Sequence, residues 1–420
     1  MHDLLRDPRV RRLLIANTLG AIGSGITIFA VPWLLVQRPG GNEAYRWATI
    51  GTTLALFLVA PAYGAWVDRH SRKTALLASE AWGGLASIAL ALLGLALGGF
   101  STSHLMGVYF AGMLYYTLHY GAKFALIQQM FARSQFQSLT GLMEIQGQTA
   151  MMIAGGLSGL LVERVPLWLI LLADGAAFLG AFGLLFTLPY TATHLPAGAP
   201  AAGPAASPGP PARSVGGSAW SGVAGGWRWL RDRPRMALFF TSSLLPFVIV
   251  MAANYLFPIY VAQTLHAGAL TFAGGEITFA AGAVLAGFLL PRLIGAHSAA
   301  RTVPVTASIF LLGLVAIIVL PFPSAYLFAG ALLGFGNAGC RVARSALLLH
   351  LVPNEVMGRV GAFFQVLDRI LRTGLVFAMG IIDTRGPPAG FVVLAAVGLA
   401  ALLGILWTRT AAEPAADRAD

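Results

Sequence analysis

The feature that most constrains this chain of 420 residues is a series of apolar segments separated by short polar loops. A helix needs ~20 apolar residues to cross ~30 Å of hydrocarbon, and its backbone polar groups are then satisfied within the helix. Segments of this length occupy residues 11–37, 44–67, 73–99, 104–130, 139–162, 167–188, 236–263, 270–294, 301–320, 324–351, 356–382 and 388–408. We number them spans 1 to 12. They predict an all-α membrane protein with twelve transmembrane helices.

The composition agrees with a membrane protein and excludes several other classes. Hydrophobic residues make up 57% of the chain and charged residues 10%. The formal net charge of +11 would suit a nucleic-acid-binding protein, but the basic excess lies in short loops between spans. Cys340 is the single cysteine, which excludes a disulfide framework and a cysteine metal cluster. The sequence has no P-loop or HExxH motif, so we predict no enzyme activity, cofactor, metal or nucleic-acid partner.

The distribution of basic residues between the loops predicts the orientation. Loops on one side of the bilayer collect nearly all lysines and arginines, whereas the other side has only Arg38, Arg46, Arg164 and Arg385. Loops rich in Lys and Arg remain in the cytoplasm. We therefore expect both termini to be cytoplasmic, in a monomeric multi-pass protein of a bacterial-type inner membrane.

A segment rich in Pro, Ala and Gly, "HLPAGAPAAGPAASPGPPARSVGGS", separates the first six spans from the last six. Such a composition predicts a flexible linker. The predicted domains are a six-helix bundle over 1–188, a cytoplasmic linker over 189–235, a second six-helix bundle over 236–409 and a cytoplasmic tail over 410–420. Within the linker, "WRWLRDRPR" mixes tryptophan with arginine and predicts a short interfacial helix.

The two groups of spans align with each other along most of their length. Pro8 aligns with Pro234 and Pro32 with Pro258, without a gap between the pairs. A nearly constant spacing continues through the later spans. The alignment predicts an internal duplication that gives two pseudo-symmetric bundles, which is a repeat plan of secondary transporters.

The loop between spans 2 and 3, "GAWVDRHSRK", concentrates charge in a chain that has little. It resembles the signature loop of the major facilitator superfamily, G-x-x-x-D-R-x-G-R-R/K. The matching positions are Gly64, Asp68, Arg69, Arg72 and Lys73, while Ser71 stands where the family usually has Gly. The resemblance implies secondary transport by alternating access.

In that family the loop acts as a gating latch against span 11. Gly64 allows close helix approach, and Asp68 can face the N-terminal end of the neighbouring helix, where unsatisfied N–H groups favour an anion. Arg359, near the start of span 11, is the predicted direct partner. The second copy of the loop has Pro291 at the acidic position, so we expect a single latch.

Two further resemblances suggest different cargoes. The opening of the chain, "VPNEVMGRV" and "LADGAAF" look like the efflux branch that includes macrolide and siderophore exporters. "AKFALIQQM" and "GLMEIQGQTAMMIAGGLSG" are similar to spans 4 and 5 of bacterial lysophospholipid transporters. The first resemblance implies export of an amphipathic small organic molecule, and the second implies movement of lysophospholipids. A membrane sensor without transport activity is a third interpretation.

Charged side chains within spans are the best markers of a site, because each costs at least ~2.5 to 3.5 kcal/mol in hydrocarbon unless it faces a cavity or a partner. Spans 4, 10 and 11 each repeat polar residues on one helical face. The predicted cavity residues are Tyr116, His119, Tyr120, Lys123, Glu144, Asn337, Arg341, Arg344, Gln365, Asp368, Arg369 and Arg372. The alternatives are long side chains that reach the membrane surface and an ion pair between Asp368 and Arg372 that serves packing alone.

Three acidic residues within the spans are candidates for proton coupling. Glu144 lies at a depth similar to that of Lys123 and could pair with it across spans 4 and 5. Asp368 is the second candidate and Asp174, isolated in span 6, is the third. For Asp174 the alternative is a structural hydrogen bond.

Overall fold

The computed structural model describes residues 6–131, 136–190, 219–293, 299–382 and 386–411. The described residues form thirteen α-helices that we label in chain order. They are α1 (Pro8–Val36), α2 (Gly41–Arg69), α3 (Arg72–Ala96), α4 (Thr102–Met130), α5 (Phe136–Leu161), α6 (Leu167–Phe186), α7 (Ala219–Arg231), α8 (Pro234–Gln263), α9 (Ala269–Leu293), α10 (Ala299–Val319), α11 (Pro323–Leu351), α12 (Asn354–Ile382) and α13 (Pro387–Thr408). Helices α1 to α6 correspond to spans 1 to 6, and α8 to α13 to spans 7 to 12. The all-helical fold predicted from the sequence is confirmed.

Seven of the described helices are long and apolar enough to cross a membrane by length and composition, namely α1, α3, α6, α8, α9, α10 and α13. The other five of the predicted spans, α2, α4, α5, α11 and α12, are 26 to 29 residues long. Their length also suffices for ~30 Å of hydrocarbon. Polar side chains interrupt their apolar runs, so these are the helices in which a polar cavity is most readily built.

Each half packs as a bundle through close helix contacts. In the first half α1 packs on α5 and α6, and α3 packs on α4 and α6; in the second, α11 packs on α9 and α10, and α8 packs on α13. Gly334 of α11 lies against the backbone of α9, where an added Cβ would collide with the carbonyl oxygen of Phe279. Small residues at such crossings allow the backbones of membrane helices to approach closely.

One apolar cluster joins the two halves at the end remote from the chain termini. Trp33 of the first half stacks on Phe272 of the second with ring centroids 5.9 Å apart. The rings of Tyr45 and Tyr255 lie 5.1 Å apart across the same boundary, and the Tyr45 hydroxyl is 3.5 Å from the carbonyl oxygen of Asn254. Aromatic pairs add to the apolar burial at such a boundary. We call this cluster the seal.

Toward the other end, which carries the start of α1 and the end of α13, the apolar clusters of the described residues no longer join the halves. One cluster, around Leu13 and Leu126, belongs wholly to the first half. The clusters around Phe239 and Val360 belong wholly to the second half. Below the seal, no apolar cluster of the described residues joins the halves, and we call this region between them, toward the terminal end, the gap. On the orientation predicted from loop charge, a seal at the end remote from the termini is the arrangement expected of an inward-facing state.

The segment predicted as an interfacial helix forms α7, which packs on α12. Gly226 of α7 contacts the backbone of Arg359, whose carbonyl oxygen would collide with an added Cβ. Leu230 of α7 is buried in one cluster with Val352 and Val360. The linker residues 191–218 lie outside the described residues. The placement of α7 at a membrane surface remains a prediction.

Candidate functional site

The polar face of α12 lies below the seal and faces the gap between the halves. Asp368 and Arg372 share a helical face with Val376 and Met379, which are buried in the seal. Large apolar side chains of the same helix, Ile370, Phe377 and Ile381, are exposed, and their spacing places them on the opposite face. The remaining polar residues of this face are Gln365 and Arg369, both exposed. The polar residues of α12 therefore lie on the side of the helix that would line a cavity between the halves.

This polar face is deep within the predicted membrane layer. Asp368 is 14 residues from each end of α12, about 21 Å at 1.5 Å per residue. Arg372 Nη2 donates to Asp368 Oδ2 at 2.6 Å, and its guanidinium is 6.0 Å from the ring of Phe247 on α8. Asp368 Oδ1 is buried without a hydrogen-bond partner. The carboxylate thus has an acceptor to spare.

Helix α11 adds a second row of polar groups. Asn337 is 6% exposed and its Oδ1 has no hydrogen-bond partner. Arg344 Nε is also buried without a partner, and Asp368 of α12 is near enough to act electrostatically on this guanidinium. Cys340 packs against α10 instead, with Sγ 3.2 Å from the Thr306 hydroxyl. Asn337 and Arg344 therefore contribute unsatisfied polar atoms, and Cys340 contributes packing.

Glu276 of α9 is an acid that the sequence analysis missed. It lies one turn from Phe272 of the seal, and its Cβ would be 3.1 Å from a Cβ added at Gly155 of α5. Phe29 of α1 approaches the same point. Glu276 therefore lies at the contact between the halves, immediately below the seal. The sequence did contain a signal for Glu276. It is an isolated acid within the apolar run of span 8, where a charge is as costly as in span 11.

The polar face predicted for α4 is divided by the structure. Tyr116 is 40% exposed and its ring lies 4.3 Å from that of Tyr120. Lys123 Nζ is 4.0 Å from the Tyr120 ring centroid, a cation–π contact. His119, by contrast, is buried and turns into the first bundle. Three of the four residues therefore form an aromatic and cationic group, and the fourth belongs to another network.

The network of His119 includes an acid on α3 that the sequence analysis also missed. Glu80 is 0% exposed, and its Oε1 is 2.7 Å from His119 Nδ1. The Tyr115 hydroxyl donates to the same carboxylate at 3.3 Å and lies 3.2 Å from His119 Nδ1. Gly20 of α1 leaves room for this hydroxyl, because an added Cβ would come within 2.6 Å of it. We call Glu80, Tyr115 and His119 the Glu80 network.

Asp174 of α6 lies beside the Glu80 network in the same bundle. The hydroxyl of Thr27 on α1 donates to Asp174 Oδ2. Thr27, Asp174 and Tyr115 also line a cavity of about 20 Å³, which is enough for one water molecule. The structural hydrogen bond considered for Asp174 is present in this geometry.

Two bases of the loop "GAWVDRHSRK" bind carbonyl oxygens within the first half. Arg72 Nη1 donates to the Ala125 carbonyl at 2.8 Å. Lys73 Nζ donates at 2.7 Å to the carbonyls of Phe186 and Leu188, at the end of α6. A cation is favoured there because the last carbonyls of a helix lack intrahelical partners.

Ser71, which occupies the usual glycine position, begins α3. Its hydroxyl accepts a hydrogen bond from the Thr74 N–H at 3.3 Å, so the serine serves as a helix N-cap. The side chains of Asp68, Arg69 and Glu144, and the surroundings of Gly64, lie outside what the structure describes. Arg359 is exposed beside α7. The latch between Asp68 and Arg359 and the pairing of Glu144 with Lys123 therefore remain predictions.

Comparison with known proteins gives one family match and several matches in fold. Residues 13–373 match the family model described as Major Facilitator Superfamily. A bacterial homologue of the iron transporter ferroportin, in an inward-facing state, matches 96% of this chain and 98% of its own at 16% identity and a TM-score of 0.69. The nucleoside transporter NupG matches 95% and 98% at 12% identity and a TM-score of 0.62. A bacterial homologue of the human lysosomal transporter Spinster, inward-facing and unoccupied, matches 97% and 96% at 12% identity and a TM-score of 0.62. No curated protein sequence matches.

Proposed function

Because the chain belongs to the Major Facilitator Superfamily and is therefore a secondary transporter, we propose that it exports an amphipathic small organic molecule by alternating access. The observation that carries this proposal is the gap between the halves, sealed by aromatic and aliphatic side chains at one end and polar below the seal on α11 and α12. A molecule with an apolar body and a polar group suits such a gap. The sequence resemblance to the efflux branch supports the outward direction.

The gap offers complementary walls for the two parts of such a cargo. On the first half, Tyr116 and Tyr120 present aromatic rings beside Lys123. Met151 of α5 packs at the edge of the seal, and a flexible thioether adapts to varied apolar shapes. On the second half the wall is polar and basic. We infer that the apolar body contacts the first half and that the polar group contacts the second.

We also propose that a proton is the coupling ion, with Asp174, Glu144 and Asp368 as candidate carriers. Asp368 supports this proposal because it faces the gap and has one carboxylate oxygen without a partner. Asp174 is enclosed in the first bundle with Thr27. Accumulation of cargo that persists after a protonophore has collapsed the pH gradient would contradict proton coupling.

The decisive experiment is flux into inside-out proteoliposomes that contain the purified protein. The cargo panel comprises macrolides, siderophores, cationic dyes and lysophospholipids. Export predicts accumulation of one of the first three classes. Transfer of lysophospholipids alone would establish the alternative transport activity. Binding of a panel member without flux of any would identify a sensor.

A substitution in the proposed latch can be tested in the same flux assay. Asp68→Asn is expected to reduce flux roughly tenfold while the protein remains folded, because it removes an anion proposed to interact with the start of α12. Asp232→Asn is the control, since Asp232 is an exposed acid near the same end of the molecule, 3.8 Å from Arg231. Unchanged flux in well-folded Asp68→Asn protein would refute the latch.

A further inference from the structure

We propose that the transported molecule carries an oxyanion, and that a cluster of four guanidinium groups on α11 and α12 binds it. This inference rests on the proposed function and adds the charge of the cargo to it. The cluster consists of Arg341, Arg344, Arg369 and Arg372, together with the carboxylate of Asp368. We call these five residues the arginine cluster.

The depth of the cluster separates it from the basic residues of the loops. Arg341 is ten residues from the end of α11, about 15 Å along the helix axis. Arg369 and Arg372 follow the midpoint of α12 and lie toward the seal. An arginine at such a depth is costly in hydrocarbon unless it faces a cavity, water or a partner. The shared face of Asp368, Arg372, Val376 and Met379 directs this part of α12 into the gap.

The bases of the cluster outnumber its one acid. Four guanidinium groups face one carboxylate, so the formal charge of the five residues is +3. Within the cluster, Asp368 pairs with Arg372 at 2.6 Å. Arg344 Nε is a donor that remains buried without an acceptor. A buried polar atom without a partner costs about 1 to 3 kcal/mol, and a bound acceptor recovers that cost at Arg344.

An oxyanion supplies the acceptor that Arg344 Nε lacks. The planar guanidinium group matches the two oxygens of a carboxylate or phosphate, and hydrogen bonds between ionised groups are among the strongest in proteins. Asp368 then serves as an internal counter-ion that the cargo displaces from Arg372. Among the acids whose side chains the structure describes, Glu276 also lies near the gap. Inclusion of its negative charge leaves a formal charge of +2 among these mid-span residues.

The test uses two dyes with the same xanthene core and opposite charge, fluorescein as the anion and rhodamine 123 as the cation. Fluorescence anisotropy measures their affinities for the purified full-length protein in a non-ionic detergent. Wild-type protein is expected to bind fluorescein more tightly than rhodamine 123. Arg369→Gln is expected to weaken fluorescein binding roughly tenfold or more, the range for a lost hydrogen bond to a charged group. Asp368→Asn should strengthen it several-fold, because the competing carboxylate is gone.

Two controls separate site binding from general attraction. Arg164→Gln removes an exposed base at the sealed end of the molecule and should leave both affinities unchanged. Arg369→Lys retains the charge and should recover part of the fluorescein affinity. In competition, benzoate and phenyl phosphate distinguish a carboxylate site from a phosphate site, and benzamide should not displace fluorescein.

Equal or tighter binding of rhodamine 123 would overturn the proposal, as would a fluorescein affinity that Arg369→Gln leaves unchanged. The outcome is independent of the transport assay. Flux of a neutral or cationic cargo would uphold export and refute the oxyanion site. Charge-selective binding by a protein that transports nothing would uphold the site and refute the transport proposal.

Discussion

The two halves both bury ionisable side chains near the middle of their helices, but they do so in opposite ways. In the first half, the Glu80 network is closed: the carboxylate receives hydrogen bonds from Tyr115 and His119, all within one bundle. In the second half, the arginine cluster has more bases than acids and retains buried polar atoms without partners. The first arrangement is complete without a ligand. The second has an excess of positive charge, which we propose an anionic ligand neutralises.

The difference indicates which charges within a transporter serve packing and which serve binding. A buried charge removed from its partners destabilises a protein strongly, whereas an unsatisfied cluster is already destabilising and is relieved by neutral substitution. Depth within the membrane therefore does not separate the two classes. We propose that the number of hydrogen-bond partners separates them.

The largest expected effect is on the Glu80 network. Glu80→Ala should lower the free energy of unfolding by about 3 to 5 kcal/mol, as for other buried pairs that lose one partner, since it leaves His119 and the Tyr115 hydroxyl without their acceptor. Thermal unfolding in detergent, followed by tryptophan fluorescence, measures the change. The contrasting variant in the second half is Arg369→Met, which should leave the stability of the ligand-free protein unchanged or slightly higher.

Glu80→Gln is the more conservative companion, because it keeps an acceptor oxygen for Tyr115. It should recover roughly half of the loss. Comparable destabilisation by Glu80→Ala and Arg369→Met would remove the distinction between the two regions, because both would then be packing elements. Full stability of Glu80→Ala would show that the pair with His119 has a role other than stability.

The sequence predicted the fold well because the signal for it is long and repeated. The apolar run 324–351 corresponds to α11 (Pro323–Leu351), and the run 73–99 to α3 (Arg72–Ala96). Helix length is set by bilayer thickness, so a boundary error of two or three residues does not change the assignment. The family motif then added a resemblance that the family match confirmed.

The site was less predictable, because periodicity defines a helical face without defining its neighbour. Tyr116 and His119 are three residues apart and were expected on one cavity face. The 60° between them is enough to expose Tyr116 and to turn His119 onto Glu80. Glu80 and Glu276 were missed although each is a lone acid in an apolar run. Their roles depend on partners from other helices, which no single-helix pattern contains.

A smaller effect is expected at the second acid of the first bundle. Thr27→Val removes the hydroxyl that donates to Asp174 and leaves a buried acceptor unsatisfied, which costs about 1 to 3 kcal/mol. The loss should appear in thermal unfolding without a change in fluorescein affinity. Thr27→Ser, which retains the hydroxyl, is the matched control. A Thr27→Val protein of normal stability that no longer accumulates cargo would instead support Asp174 as the proton carrier.

The smallest effect is expected at Lys123, which is buried like the Glu80 network and basic like the arginine cluster. Lys123 is 8% exposed like a packing residue, yet its ammonium contacts the Tyr120 ring beside exposed Tyr116. If Lys123 contributes to the first-half wall of the gap, Lys123→Ala should weaken fluorescein binding about threefold to tenfold, which corresponds to roughly 0.7 to 1.4 kcal/mol. Lys123→Arg retains the charge and should bind normally. An unchanged affinity in Lys123→Ala would assign this lysine to the membrane surface, where its long side chain reaches water, and would confine anion recognition to the arginine cluster.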